Sequence, residues 1–235
     1  MIAFAAIAPH GDVEETPELL EAMQELGRRC TCEAAVVVTP HNVHVEGHFA
    51  VVAAARVGEH EVDADLADAI VERARADRLP ILRISYGGND TTQAEHPLDW
   101  GTEIPLRFVR ARRVVVVSPA RDRSLDEHIR LGRAIANATD GIDVALVASA
   151  DHGHTHEADG PYGFHPAAKQ YDERFLELLE RQPLDFRPLV DLVEDGKADS
   201  LWQLLVLQGA LPDARAELLA YAAPTYYGMA VAVVT

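Results

Sequence analysis

The stretch from Ala148 to Asp172, ASADHGHTHEADGPYGFHPAAKQYD, decides how the rest of the chain is interpreted. It begins at the end of an apolar run, Ile142–Ala148, and then presents one aspartate and three histidines between positions 151 and 156. In an open α/β sheet, ligands bind in the crevice outside the carboxyl ends of the strands. A row of imidazoles directly after an apolar strand therefore predicts a functional edge of such a sheet.

Two further apolar runs also end close to a histidine. Ile2–Ala8 is followed by His10, and Ala34–Val38 is followed by His41. If these strands are parallel neighbours, their imidazoles meet at one edge, and imidazole is a common ligand of zinc, copper, iron and nickel. We therefore expect the ring nitrogens of His10 and His41 to lie within about 6 Å of each other, close enough to share an ion with bonds near 2 Å.

Strand and helix patterns alternate along the chain, which predicts a three-layer α/β/α sandwich around a mostly parallel or mixed sheet. With no internal repeat and no convincing linker, one domain over residues 1–235 is expected. A turn is predicted at Gly87–Asp90, an irregular segment at Leu98–Leu106, and a helix end at Gly209. The remaining predicted strands are Phe49–Ala55, Leu82–Tyr86, Val114–Val117 and Met229–Val234, and the predicted helices are one with a stripe from Leu19 to Leu26, Asp63–Ala76, Leu125–Ala136, Pro166–Leu179 and Ala198–Gln208.

Composition narrows the class of protein. Apolar residues make up 48% of the 235 residues, enough for a sizeable core, and the formal net charge is −17. Such acidity argues against nucleic acid as a partner, because Lys and Arg supply affinity for the phosphate backbone. Cys30 and Cys32 are too few for a disulfide framework, and neither a leader nor an apolar run of about 20 residues is evident. We expect a cytoplasmic protein without a membrane partner.

Not every histidine has the same weight. His60 and His128 stand among acidic residues and are expected to be solvated. The pair His152–Gly153–His154 has a spacing that could hold zinc and activate water, so a metal-dependent hydrolase is one alternative function. Two histidines and one carboxylate on one face of an octahedron, by contrast, are typical of non-haem Fe(II) oxygenases.

Five short segments, in order, resemble the class III extradiol ring-cleavage dioxygenases, specifically the superfamily of their catalytic subunit, which also includes MEMO-like proteins. Two are Ala8-Pro9-His10 and Thr39-Pro40-His41. The others are Leu98–Leu106, similar to the family's Asp-His-Gly…Pro-Leu segment; Ser149–His154 with its continuation to Phe175, similar to Ser-Gly-Asp-Leu-Ser-His; and Leu204–Leu211, similar to a late helix ending in Gly-Ala-Leu.

The resemblance implies the fold of the extradiol dioxygenase catalytic subunit and an Fe(II) centre, with Zn or Mn as substitutes, that opens a catechol-like or aminophenol-like ring with O2. His10 and His41 are then metal ligands, and His154 is the catalytic acid/base. The third ligand is a glutamate in the family; Ser200 stands at the matching position, so Asp199 is the preferred carboxylate, with Glu194 and Asp195 as alternatives. Trp100 replaces a family histidine. The candidate substrate contacts are Asp99, Trp100, His44, His152 and His156.

Trp100 and the uncertain carboxylate leave a second alternative open, a MEMO-like binding or regulatory protein without oxygenase activity. The expected partners of the enzyme are a small aromatic substrate and O2. Many relatives form dimers or pair with a small subunit, so a homodimer or a small partner subunit is expected.

Overall fold

The computed structural model describes residues 1–86 and 90–235 and has a mixed α/β architecture. The predicted turn at Gly87–Asp90 falls largely on residues outside these ranges. Within them, the strands are β1 (Ile2–Ala8), β2 (Ala34–Val38), β3 (Phe49–Val52), β4 (Arg56–Val57), β5 (His60–Val62), β6 (Ile81–Ile84), β7 (Glu95–His96), β8 (Arg113–Ser118), β9 (Val144–Ser149), β10 (Ala216–Ala222) and β11 (Met229–Val234). The helices are α1 (Pro17–Arg29), α2 (Ala64–Ala76), α3 (Trp100–Phe108), α4 (Leu125–Ala138), α5 (Ala167–Leu179), α6 (Val190–Gly196) and α7 (Leu201–Ala210).

Four parallel strands form the centre of the sheet, in the order β1-β9-β2-β8. Strand β9 lies between the other two histidine-bearing strands, with Ile7 opposite Ala148 and Val38 also opposite Ala148. The carboxyl ends of β1, β9 and β2 therefore lie side by side, as the sequence predicts. Strands β11 and β10 extend the sheet antiparallel beyond β1, and β3 pairs antiparallel with β8, so the sheet is mixed.

Helices cover both faces of this sheet. Alternate residues of β1 belong to two different cores: Ala5 and Ile7 pack on the side of α2, α4, α5 and α7, while Ala6 and Ala8 pack on the side of α1 and α3. Burial on both faces explains why the central strands are continuous apolar runs without polar alternation. The three-layer α/β/α sandwich is confirmed.

Two local predictions are wrong. Leu98–Leu106 is not irregular, because Asp99 caps a helix there by accepting a hydrogen bond from the Thr102 amide at 3.0 Å. Gly209 does not end the late helix but lies inside α7, where a Cβ would stand 1.9 Å from the Ile129 carbonyl oxygen of α4. Its missing side chain allows α4 and α7 to approach closely.

None of the helices in the described ranges combines the length and apolar character that crossing a bilayer requires.

Candidate metal centre

Three of the predicted site residues come together at the carboxyl edge of the sheet. His10 follows β1, His41 follows β2, and Asp199 lies just before α7. The Nε2 atoms of His10 and His41 are 2.9 Å apart, and Asp199 Oδ2 lies 3.3 Å from the first and 3.4 Å from the second. These atoms are close enough to bind one ion, and we call His10, His41 and Asp199 the metal centre.

Hydrogen bonds of Nδ1 and of the backbone amide fix the orientation of His10. Its Nδ1 lies 3.0 Å from Ser149 Oγ, and that hydroxyl donates in turn to the Gly101 carbonyl oxygen. Ser149 Oγ therefore accepts from Nδ1–H, which leaves a lone pair on Nε2 directed at the metal centre. The His10 amide also donates to Asp151 Oδ1 at 3.0 Å. Such partners behind a ligating imidazole select its tautomer and orientation.

His10 is only 3% exposed, and the carboxylates of Asp151 and Asp199 lie close to its ring. Burial lowers its pKa, but Asp151 and Asp199 more than offset this and raise it to about 9. Burial raises the pKa of Asp199, whereas His10 and His41 bring it below its ordinary value overall. The negative charge around His10 thus favours a cation at this cluster.

The donor set fits a metal ion. Two imidazole nitrogens and one carboxylate match the arrangement that binds Fe(II) with open positions for other ligands. Within the described part of the chain, the buried Oδ1 of Asp199 has no hydrogen-bond partner, so it is free to take part in coordination. A buried polar atom without a partner is costly unless something binds it.

Among the three candidate carboxylates, the structure brings only Asp199 to the two imidazoles. Asp195 is exposed, and Glu194 is exposed and paired with Lys197 at 2.7 Å. Ser200, at the position of the family's glutamate, is fully buried, with its Oγ 3.0 Å from His152 Nδ1 and 2.9 Å from the Tyr171 hydroxyl. A register change of one residue therefore places the carboxylate of Asp199 at the metal centre.

His154 lies beside the metal centre with one ring nitrogen committed. Its Nδ1 is 2.7 Å from the His152 carbonyl oxygen, which can only accept, so Nδ1 carries the proton. Nε2 is then the basic nitrogen. The ring stacks on Tyr227 with centroids 5.6 Å apart, and it lines the same cavity as His10 and His41.

That cavity has a volume of about 460 Å³ and largely aromatic walls. Trp100 stands on one side, 56% exposed, with its ring centroid 4.4 Å from that of His41. The other aromatic side chains in the wall are Tyr162, Tyr226 and Tyr227.

These tyrosines, and Asp151, which also lines the cavity, are functional candidates that the sequence patterns did not reveal. Asp151 directly follows β9 at the same edge as His154, which is a signal that could have identified it. Tyr226 and Tyr227 lie between β10 and β11, and β10 was not predicted.

Of the remaining predicted substrate contacts, some line the cavity and others do not. Trp100 lines the cavity, whereas both oxygens of Asp99 accept hydrogen bonds from the protein itself, including one from Thr39 Oγ1 at 2.8 Å. Asp99 therefore holds the loop of His41 against α3. His44 is exposed, with its Nε2 2.7 Å from the Pro40 carbonyl oxygen, outside the wall of the cavity. Neither His44 nor Asp99 lines this cavity.

His152 is also corrected as a substrate contact, because its ring is fully buried 3.9 Å from that of Phe175. Burial lowers its pKa to about 4. Since His152 and His154 have separate partners and neither belongs to a metal-binding cluster among the described residues, they do not form the zinc pair that the hydrolase alternative requires.

His156 lies in a second polar cluster instead of the cavity wall. Its Nε2 is 2.8 Å from Asp172 Oδ2, which also accepts from the Tyr221 hydroxyl at 2.7 Å. The other oxygen of Asp172 accepts from the Gly153 amide at 2.8 Å. We call Asp172, His156, Tyr221 and the Gly153 amide the Asp172 cluster; it holds the chain on both sides of His154.

Comparison with known proteins places this geometry in a family. The family model described as the catalytic LigB subunit of aromatic ring-opening dioxygenase matches residues 27–234. The chain is similar to protein CA_C1420 of Clostridium acetobutylicum, with 24% identity over 190 residues, which is 72% of this chain and 40% of that protein. It thus spans about 40% of that relative's length.

Its fold is similar to the crystal structure of uncharacterized protein JW3007 from Escherichia coli K12, with a TM-score of 0.67, 21% identity and 99% coverage of both chains. The family match covers most of the chain. The chain belongs to the family of the catalytic LigB subunit of aromatic ring-opening dioxygenases.

Proposed function

We propose that this protein is a non-haem Fe(II)-dependent extradiol dioxygenase that opens the ring of a catechol-like or aminophenol-like substrate with O2. The observation that carries the proposal is the convergence of His10, His41 and Asp199 on one point, with the two Nε2 atoms 2.9 Å apart. His10 and His41 also line an aromatic cavity whose wall contains His154.

The donor set favours Fe(II), with Zn(II) or Mn(II) as substitutes in binding. His10, His41 and Asp199 would hold the ion, and bound Fe(II) would supply a Lewis-acidic, redox-active centre for the reaction between the aromatic ring and O2. Two neutral imidazoles and one carboxylate leave a net positive charge at such an ion. That charge favours a substrate hydroxyl in its ionised form.

His154 is placed to take the hydroxyl proton. Because Nδ1–H is bound to the His152 carbonyl oxygen, Nε2 presents the lone pair. Imidazole is the side chain that most often transfers protons in catalysis near neutral pH, and such general acid–base catalysis typically contributes 10²–10⁴-fold in rate. The Asp172 cluster keeps this ring in place, because it binds the Gly153 amide and the His156 ring on either side of His154.

The cavity walls suit a planar ring. Trp100, Tyr162 and Tyr226 offer aromatic faces that orient such a ring and exclude water around it. The Tyr227 hydroxyl accepts from the Asp12 amide at 3.0 Å, so this side chain is tied to the chain that follows His10. Trp100 packs on His41 and supplies an apolar surface where the family has a histidine.

The test is reconstitution with Fe(II) under argon, followed by oxygen-electrode measurements with a panel of catechols and aminophenols. We expect oxygen consumption and a yellow ring-opened product. His154→Gln should keep one Fe(II) per chain but lower kcat by about 10²–10⁴-fold, because the proton acceptor is removed. His60→Gln, on β5 and outside the cavity wall, is the matched control and should have the activity of the parent.

Absence of turnover across the panel, with iron verified in place, would exclude the oxygenase and favour the MEMO-like alternative. Under that alternative, the biological role survives His154→Gln. The homodimer, or a small partner subunit, remains part of the proposal, and sedimentation of the purified protein tests it.

A further inference from the structure

Residues 157–164 form a surface loop whose two ends are joined by hydrogen bonds. The His165 amide donates to the Thr155 carbonyl oxygen at 2.9 Å, and Thr155 Oγ1 donates to the His165 carbonyl oxygen at 3.2 Å. Thr155 itself is only 2% exposed. Compact surface loops whose ends lie close together are frequently functional. We call residues 157–164 the cavity loop, because its Tyr162 lines the aromatic cavity.

The residues before the cavity loop are held by the rest of the protein. The His154 amide donates to the Gly196 carbonyl oxygen at 2.7 Å, and the His156 amide donates to the Tyr226 carbonyl oxygen at 3.1 Å. The His156 ring is also bound in the Asp172 cluster. The loop therefore starts and ends at a fixed part of the fold, about which it can move.

The hydrogen bonds of the cavity loop are internal. The Gly160 amide donates to the Glu157 carbonyl oxygen at 3.2 Å, and the Gly163 amide donates to the Gly160 carbonyl oxygen at 3.1 Å. In the described ranges, no hydrogen bond or ion pair joins residues 157–164 to another segment. Segments with few contacts to the fold open at a low cost in free energy. The loop can therefore change its position as a unit while its two turns keep their shape.

Tyr162 and Phe164 on this loop expose large aromatic surfaces. Tyr162 is 59% exposed and Phe164 is 64% exposed, although Tyr162 lines both the aromatic cavity and a smaller cavity of about 260 Å³ that also reaches His154. The Tyr162 ring centroid lies 6.2 Å from that of His154 and 6.3 Å from that of Tyr226. Trp100, in the wall of the aromatic cavity, is 56% exposed. Exposed aromatic side chains in the wall of a cavity are typical of a site that a ligand covers.

We propose that the cavity loop is a lid that closes over the aromatic ring held at the metal centre; this inference rests on the proposed function. Movement of the loop about its joined ends brings Tyr162 onto the bound ring, and both aromatic groups then lose contact with water. Such closure excludes water from the site at which His154 transfers the proton.

Hydrogen exchange followed by mass spectrometry tests the closure directly. The probe is 4-nitrocatechol, added to the Zn(II)-loaded protein so that no turnover is needed. The amides of Ala158, Asp159 and Tyr162 have no hydrogen-bond acceptor in the described ranges. We expect them to exchange at least about tenfold more slowly when the probe is bound. The turn at residues 211–215 lies outside both cavities and should exchange at the same rate in both samples.

Stopped-flow binding distinguishes a moving lid from a fixed wall. Binding of 4-nitrocatechol to the Zn(II)-loaded protein, followed by absorbance, should show a second phase whose rate is independent of the probe concentration at saturation. Tyr162→Ala should lose this phase and bind the probe about tenfold more weakly, because one aromatic contact is removed. Val190→Ala removes another exposed apolar side chain, on α6 and outside both cavities, and should bind as the parent does.

The outcomes separate the lid from the proposed function. Slower exchange of the cavity loop with 4-nitrocatechol bound, without ring opening of any substrate by the Fe(II)-loaded protein, would overturn the oxygenase and support the lid. Unchanged exchange of the loop at a saturating concentration of the probe would overturn the lid even if catechols are turned over. No binding of the probe, or two phases in Tyr162→Ala like those of the parent, would overturn the lid as well.

Discussion

The metal centre and the Asp172 cluster are built from the same chemical groups but differ in whether the carboxylate oxygens have hydrogen-bond donors. Each has a buried aspartate in contact with imidazole: Asp199 is 6% exposed and Asp172 is 1% exposed. Both oxygens of Asp172 have hydrogen-bond donors, whereas Oδ1 of Asp199 has none among the described residues. At the metal centre, two Nε2 atoms also face each other across 2.9 Å.

This difference distinguishes a site that can bind an ion from a cluster that stabilises the fold. Where each acceptor has a donor, as in the Asp172 cluster, the hydrogen bonds of the cluster stabilise the fold. Where lone pairs converge and one oxygen lacks a partner, the cluster is complete only with a cation. Removing the aspartate of each cluster should therefore produce separate defects.

The largest expected effect is the loss of metal in Asp199→Ala. One of three ligands is removed, so we expect Fe(II) affinity to fall by more than about 100-fold, since even the partners behind ligands are worth 10–100-fold. The stabilisation that saturating metal gives, about 2.7 kcal/mol at 100 times Kd, should disappear at the same metal concentration. Metal-binding calorimetry and thermal unfolding with and without Fe(II) measure both. Unchanged affinity in this variant would show that Asp199 is not a ligand.

The opposite defect is expected in Asp172→Asn. This change leaves the His156 ring and the Tyr221 hydroxyl without a carboxylate acceptor, which should lower the free energy of unfolding by about 3 kcal/mol. Fe(II) affinity of the folded protein should change by less than threefold. Urea unfolding and metal titration provide the two numbers.

Tyr221→Phe is the milder companion of this variant and should cost about 1 kcal/mol, because it removes one hydrogen bond to Asp172. Loss of metal in Asp172→Asn as severe as in Asp199→Ala would erase the distinction between the two clusters.

Another buried histidine sharpens the comparison, because its ring contacts a backbone carbonyl oxygen and, among the described residues, no carboxylate. His128 is fully buried on α4, in contact with Phe49 at a centroid distance of 5.0 Å, and its Nδ1 lies 2.8 Å from the Ser124 carbonyl oxygen. Burial lowers its pKa from 6.5 to about 4. The expectation that His128 is solvated is wrong.

The sign of the pH dependence follows from that shift. With a folded pKa below the unfolded one, the stability that neutral His128 supports is complete above pH 6.5 and is lost as the pH falls toward 4. At pH 5 the loss is about 2 kcal/mol. The free energy of unfolding of the parent minus that of His128→Leu should fall by this amount between pH 7.5 and pH 5, as measured by unfolding of both proteins. A difference in unfolding free energy that stays constant with pH would mean that burial does not lower the pKa of His128.

The sequence was sufficient for the central strands and for the meeting of His10 and His41, because both depend on local pattern and on parallel topology. Apolar runs of five to seven residues, such as Ala34–Val38, form the central strands at nearly the predicted bounds. Once these strands are parallel, His10 and His41 meet at one edge without further information. The signal for His128 was also present, because positions 128, 131, 132 and 135 share one face of a helix and all are buried.

Other features depend on contacts between distant segments. Three carboxylates near α7 were candidates, and only the path of the chain after α6, where Lys197 takes a left-handed conformation, brings Asp199 to the imidazoles. His152 and His154 are two residues apart, yet one is buried against Phe175 and the other lines the cavity. The late tyrosines reach the cavity through the pairing of β10 with β11, which local pattern did not reveal.

Anomalous diffraction from a crystal of the Fe(II)-loaded protein tests the central claim most directly. We expect a single strong iron peak with bonds of about 2.0–2.2 Å to Nε2 of His10, Nε2 of His41 and a carboxylate oxygen of Asp199. Iron at full occupancy on His156 and Asp172, or a centre that leaves out His10 or His41, would contradict it.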